Sequence, residues 1–158
     1  MFREMRRKKQ QIEKEECINI LMNGKRAVLS MNGDNGYPYC IYVNYFYDEK
    51  ENTIYLHGSK EGHKIDSINR DNKVCFTVCN KGYKKTGDWA YTVTSVVVFG
   101  KAHLIDDIEM ATQKVRELAL KYYPTKEEVE EEIKSGIKHV QLIAIEVEHM
   151  TGKTIHEK

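Results

Sequence analysis

The run Tyr37-Pro38-Tyr39-Cys40-Ile41-Tyr42-Val43-Asn44-Tyr45-Phe46-Tyr47 decides the fold. Its side chains alternate between two faces, Tyr39, Ile41, Val43, Tyr45 and Tyr47 on one and Cys40, Tyr42, Asn44 and Phe46 on the other, and neither face is purely polar. A strand apolar on both sides belongs in a barrel wall whose outside is covered by a helix, a cofactor or a second subunit. Upstream, Ala27-Val28-Leu29-Ser30-Met31 reads as its hairpin partner. Between them Gly33-Asp34-Asn35-Gly36 offers two glycines and two residues that tolerate left-handed backbone.

Working outward, Asp48 to Asn52 turns the chain into a strand over Thr53–His57, which stops at Gly58-Ser59. A short helix is expected from Gly62 to Arg70, burying Ile65 and Ile68. Strands follow over Val74–Val78 and from Ala90 through Lys101 to Ile105, so five or six strands in meander order are in hand. Asp106 with Glu109 opens a helical segment that stops before Pro124, and Thr125 with Glu128 opens a second, acidic one, giving a helical insertion over 106–136. Val140–Val147 alternates as a last strand. The first 24 residues read as an N-terminal helix closed by Asn23-Gly24.

The chain has 158 residues, which fits one domain. Its 25 basic and 24 acidic side chains leave a net charge of +1, which argues against a nucleic-acid-coating role and leaves its 10 tyrosines without the basic groove of a single-strand binder. No apolar run approaches the length of a membrane span and no secretory signal follows Met1, so a cytoplasmic protein without membrane attachment is expected. Four cysteines are too few for a stapled secreted fold and are expected reduced. Cys75 and Cys79, about 13 Å apart along one strand, cannot pair with each other and are expected as small core residues. The glutamates between Glu127 and Glu132 read as a solvated face. His103, His139 and His149 lie far apart, and no metal set is read among them.

Chemistry concentrates between Pro38 and Lys64. His57-Gly58-Ser59-Lys60-Glu61-Gly62-His63-Lys64 places two glycines around a turn that enters a helix, where free N–H groups, the Ser59 hydroxyl, His57 and the Lys64 ammonium together suit a phosphate dianion. The neighbouring strand, with apolar side chains and the Asn44 amide, suits a planar heterocycle. Ring plus phosphate points to a mononucleotide cofactor. His57, whose unperturbed pKa is about 6.5, is the candidate proton donor, and His63 reads as solvent-facing within the same turn.

At these residues the sequence resembles the FMN-binding split barrels related to pyridoxamine 5′-phosphate oxidase, and especially their nitroimidazole-resistance (Nim-type) branch. The marks are Gly36-x-Pro38-Tyr39, Asn44-Tyr45, Ile54-Tyr55-Leu56-His57-Gly58 with Gly62-x-Lys64, Asn72-x-x-Val74, Ser95-Val96 before Gly100, and Thr151-Gly152-Lys153. The resemblance implies a mainly β fold with peripheral helices, a six-stranded split β-barrel that forms a homodimer with FMN at the subunit interface. It implies Cys40, Ile41, Val43, Asn44 and Ser95 beside the flavin, and His57, Gly58, Ser59, Gly62, His63 and Lys64 around its phosphate. The activity implied is an FMN-dependent oxidoreductase that passes electrons from NAD(P)H or a redox protein to a small electron acceptor, such as a nitroaromatic compound. Two alternatives stay open: a non-catalytic flavin carrier or sensor, and a barrel holding haem or a deazaflavin, with His57 or His63 as the axial ligand to a haem. Relatives usually carry proline where this chain has Tyr42 and an aromatic residue where it has Val93, departures that bear on the substrate side.

Overall fold

Tyr45 is the corner of the molecule. The stretch that reads as one strand is broken there into β2 (Pro38–Asn44) and β3 (Phe46–Asp48), in a computed structural model that describes residues 1–158. Around this corner lie α1 (Lys14–Asn23), β1 (Arg26–Asn32), β4 (Thr53–Ser59), α2 (His63–Arg70), β5 (Lys73–Cys79), β6 (Thr92–Ile105), α3 (Ile108–Leu120), α4 (Lys126–Gly136) and β7 (Val140–His156). The strands form one antiparallel sheet in the order β2-β1-β5-β6-β7-β4-β3. Since β2 and β3 occupy its two ends yet are joined by one residue, the sheet must curl on itself as a split barrel. Counted across the corner, the strands number six.

The order is not a simple meander. β5, β6 and β7 follow one another, but β1 pairs with β5 and β4 pairs with β7, so distant segments must meet. β7 is also longer than its alternating start indicates, running to His156 beside β6 past a register shift at Phe99/Gly100.

A residue that leaves a ladder must find other partners for its N–H and C=O. Tyr45 is fully buried, and its N–H donates to the Tyr122 hydroxyl at 2.9 Å. Its carbonyl accepts from the Tyr122 hydroxyl at 2.8 Å and from Lys121 Nζ at 3.3 Å. The Tyr45 ring meets Phe76 edge-on at 4.9 Å, while its hydroxyl donates to the Leu21 carbonyl at 2.7 Å. The end of α3 thus fastens the corner.

The barrel interior is a cluster of 20 buried residues, with Leu29, Ile54, Leu56, Phe76, Val96, Val98 and Ile143 among them. A second cluster of 8 lies under α3 and α4, where Val115, Ala119, Val129 and Ile133 meet Tyr55, Leu142 and Ala144. The 106–136 insertion therefore covers the outside of β4 and β7. No helix covers the outside of β2, β1 and β5.

Two expectations are corrected. Cys75 and Cys79 point outward, half-buried and exposed, because strand alternation gives the interior to Val74, Phe76 and Val78. All four cysteines are free thiols. The N-terminal helix spans only Lys14–Asn23; before it, a single 3-10 turn over Lys8–Gln10 and an extended arm run beside β7. There the Ile12 N–H bonds the Gly152 carbonyl at 3.1 Å, and Phe2 stacks on His149 with ring centroids 4.6 Å apart. The arm finds partners outside its own segment, so it does not coil.

Candidate functional site: an anion turn at the start of α2

β4 ends at Ser59, and the chain reaches α2 through Gly62, whose φ of 117° lies in the left-handed region that favours glycine. Gly62 caps the helix without any side-chain hydrogen bond. The first-turn N–H groups of His63, Lys64 and Ile65 thus lack helical acceptors and form the positive end of the helix dipole. Lys64 folds back over Gly58, with Cε placed 3.2 Å from where a Cβ on residue 58 would stand and Nζ closer still. A Cβ at residue 58 would push the flexible end of Lys64 out of this position.

Lys64 is half-buried and has no carboxylate partner, and burial alone lowers its pKa from the ordinary lysine value. A cation held partly out of water without a counter-ion is costly unless an anion completes it. The residues therefore fit a phosphate: free amides, an ammonium, and a cradle kept open by the missing Cβ of Gly58.

His57 lies beside this turn on the opposite face of β4. Alternation sets it with Tyr55 on the outer side, while Gly58 follows Ile54 and Leu56 toward the barrel. His57 is exposed to solvent on one side, and partial desolvation, followed by the nearby Lys64 charge, lowers its pKa below the usual 6.5. At neutral pH His57 is an uncharged ring that can donate one hydrogen bond and accept another. His63 is less free than its sequence context indicates: its ring stacks on Tyr39 at 3.9 Å, and Nε2 lies 3.5 Å from Asp34 Oδ2. Asp34 in turn accepts from Arg70 at 2.9 Å, tying the hairpin tip to α2.

The structure gathers Gly58, Ser59, Gly62, His63 and Lys64 in one turn, with His57 adjoining and Tyr39 reached through His63. It spreads the ring-side candidates more widely. Ile41 and Val43 pack against the barrel interior, whereas Cys40 and Asn44 face outward. Cys40 donates to the Ser30 hydroxyl at 3.2 Å. Asn44 stands opposite Arg26, about 16 Å along the strand from Tyr39. Ser95, half-buried, faces outward between Cys79 and Lys153.

One ionic group escaped sequence reasoning. Lys114 is only 4% exposed, with Nζ 2.8 Å from Asp48 Oδ2 and 3.0 Å from Glu51 Oε1. It also lies 4.8 Å from the Tyr55 ring centre, and the Tyr55 hydroxyl donates to Glu51. These bonds raise the lysine pKa against the cost of burial and lower those of both carboxylates. Tyr55 is two residues before His57 on the same face, so the network stiffens the strand that presents the histidine.

A curled sheet whose ends meet at one residue, with a cationic glycine turn beside it, defines a split-barrel fold. The chain belongs to the pyridoxamine 5′-phosphate oxidase family, whose profile matches residues 13–154. No curated protein matches its sequence. Among solved structures it is similar to a candidate 5-nitroimidazole antibiotic resistance protein from Bacteroides thetaiotaomicron, at 23% identity and TM-score 0.77 over 92% of this chain and 87% of that one. It is also similar to an FAD-binding protein from Mesorhizobium loti, at 18% identity and TM-score 0.68 over 92% of this chain and 97% of the other. A third similarity is to an FAD- and haem-binding protein from Mycobacterium smegmatis, at 12% identity and TM-score 0.72 over 94% of this chain and 74% of that one. At these identities the likeness is one of fold. No helix is long and apolar enough to cross a membrane.

Proposed function

We propose that the protein is a flavin-dependent oxidoreductase that binds FMN, with the phosphate in the Gly58–Lys64 turn. The observation that carries this reading is the half-buried Lys64 ammonium, open to an anion and lacking any carboxylate of its own. The flavin-binding descriptions of structural neighbours support it.

Bound flavin supplies an electron-transfer centre able to take up a pair from a donor and pass it to an acceptor. The chain's part is to hold and orient. Lys64 neutralises the phosphate, the first-turn amides of α2 donate hydrogen bonds to its oxygens, and Asn44 offers an amide at the ring edge. His57, uncharged at neutral pH, offers one hydrogen-bond donor and one acceptor beside the turn and can take up a proton there. NAD(P)H or a redox protein is the proposed donor. The proposed acceptors are small electron-poor compounds such as nitroaromatics.

A second copy of the chain completes the site in this reading. The uncovered outer face carries half-buried Val28, Ser30, Thr77 and Val97, with Tyr42 83% and Phe99 40% exposed. Apolar surface of this kind on a sheet asks for a partner, and a two-fold dimer would bring the ring-side residues Asn44 and Ser95 toward the partner's turn.

The test is the visible spectrum of the purified protein, with flavin counted per chain before and after added FMN. Flavin absorbance that declines in Lys64→Gln supports the assignment. A colourless protein that takes up no FMN, or a Soret band in its place, overturns it.

A further inference from the structure

A second group of cations is left unpaired at the other end of the barrel. A pocket of about 630 Å³ lies between the end of α1, the start of β1 and the segment after β5, with Lys25, Arg26 and Lys81 in its lining and no acidic residue there. None of the three belongs to an ion pair. Beneath them Lys121 donates to the Gly24 carbonyl and lies 4.3 Å from the Tyr45 ring centre, again without a carboxylate. Burial and the nearby Lys25 charge lower the Lys121 pKa to about 8. Four like charges therefore crowd a small volume in a chain whose net charge is only +1. Such crowding costs free energy that an anion would offset.

The walls add selectivity. The Asn80 side-chain oxygen accepts from the Gly82 and Thr94 amides at 3.0 Å each, which fixes the side chain and leaves its NH₂ group free to donate. Ile20 and Cys79 supply apolar surface for a flat ring. The carbonyl end of α1 would repel an anion, but Lys121 already caps the Gly24 carbonyl. The volume lies within the range of small-molecule sites and suits a nucleoside phosphate.

Its place gives it a role. Arg26 stands opposite Asn44 across β1 and β2, and Cys79 stands opposite Ser95 across β5 and β6. The pocket floor thus adjoins the two outward-facing residues assigned to the flavin ring, and lies away from the Lys64 turn. We infer that this pocket receives the phosphate-bearing end of a second, nucleotide-sized ligand, the partner with which the bound flavin exchanges electrons. The inference rests on the proposed function for that role, while the anion site stands on its own geometry.

The experiment is calorimetric titration of ADP, with adenosine as the uncharged control, into the purified protein and into the triple variant Lys25→Gln/Arg26→Gln/Lys81→Gln, with flavin content measured in each. The three side chains are exposed, so the variant is expected to fold. Expected are ADP binding that exceeds adenosine binding, at least a tenfold weaker ADP constant in the variant, and unchanged flavin per chain. Equal ADP affinity in the two proteins, or no ADP binding, overturns the inference. A variant that loses its flavin also overturns it, because the cations would then hold the flavin's own phosphate. A colourless protein that binds ADP through these three side chains refutes the flavin reading and leaves the anion pocket standing.

Discussion

Lys64 and Lys114 are both withdrawn from water, and they meet opposite surroundings. Lys114 is ringed by Asp48, Glu51 and, at 3.7 Å, Glu117, and its pKa rises. Lys64 folds against Gly58 near His57 with no carboxylate partner, and burial lowers its pKa. The first lysine is internally complete and serves the fold. The second has no carboxylate of its own, and the proposed phosphate would supply the missing charge.

Breaking the satisfied lysine should have the largest effect. Lys114→Ala leaves two or three carboxylates facing one another beneath α3, and removing one partner of a buried ionic network costs about 3–5 kcal/mol. Chemical denaturation should show that loss, with flavin per folded chain little changed. Lys64→Gln should do the reverse. It removes a charge-assisted bond worth about 1.5–3 kcal/mol, so FMN affinity should fall about 10- to 100-fold while the stability of the flavin-free protein stays level or rises. A Lys64→Gln protein that unfolds more readily would move this lysine to the structural side.

The corner comes next. Tyr122→Phe removes the hydroxyl that serves the Tyr45 amide and carbonyl, an expected cost of about 1–3 kcal/mol in denaturation experiments. The smallest effect is the response to pH. The His57 pKa is lower in the folded chain than its unfolded value of 6.5, so the unfolded chain binds the proton more readily. The contribution is present above pH 6.5 and is lost as pH falls from that value through the lower pKa of the folded chain. Flavin-free protein should therefore lose stability as pH falls below about 6.5, and His57→Gln should flatten that part of the profile. Asp48 and Glu51, whose pKa values are depressed, should add a separate loss at lower pH, as it falls below the ordinary carboxylate range, and Lys114→Ala should remove it.

The turn between β4 and α2 was legible because its parts are local. Gly58, Gly62 and Lys64 lie within seven consecutive residues, so the strand end, the turn and the helix start can be read from one short stretch. The barrel was legible through the doubly apolar run, but the helix pair covers β4 and β7 rather than the outside of β2, where the run pointed. Tyr45 was not, because the run alternates without a break and the corner is made by Tyr122, 77 residues away. Lys114 was equally hidden: its acidic partners lie 66 and 63 residues upstream, and a lone lysine on an amphipathic helix looks solvated. Cys75 and Cys79 were read as core since their strand is apolar throughout, and alternation decides otherwise. The Lys25, Arg26 and Lys81 group joins the end of α1 to the loop after β5, a meeting that only the closed barrel brings about.

The most direct test of the account compares FMN with riboflavin, which has the same ring and no phosphate, by equilibrium titration into flavin-free wild-type protein and Lys64→Gln. FMN should bind the wild type about 10- to 100-fold more tightly than riboflavin, and that margin should collapse in the variant while riboflavin affinity stays nearly constant. Equal affinity for the two flavins in the wild type, or a margin that survives loss of the lysine charge, would contradict the claim that this turn grips the phosphate.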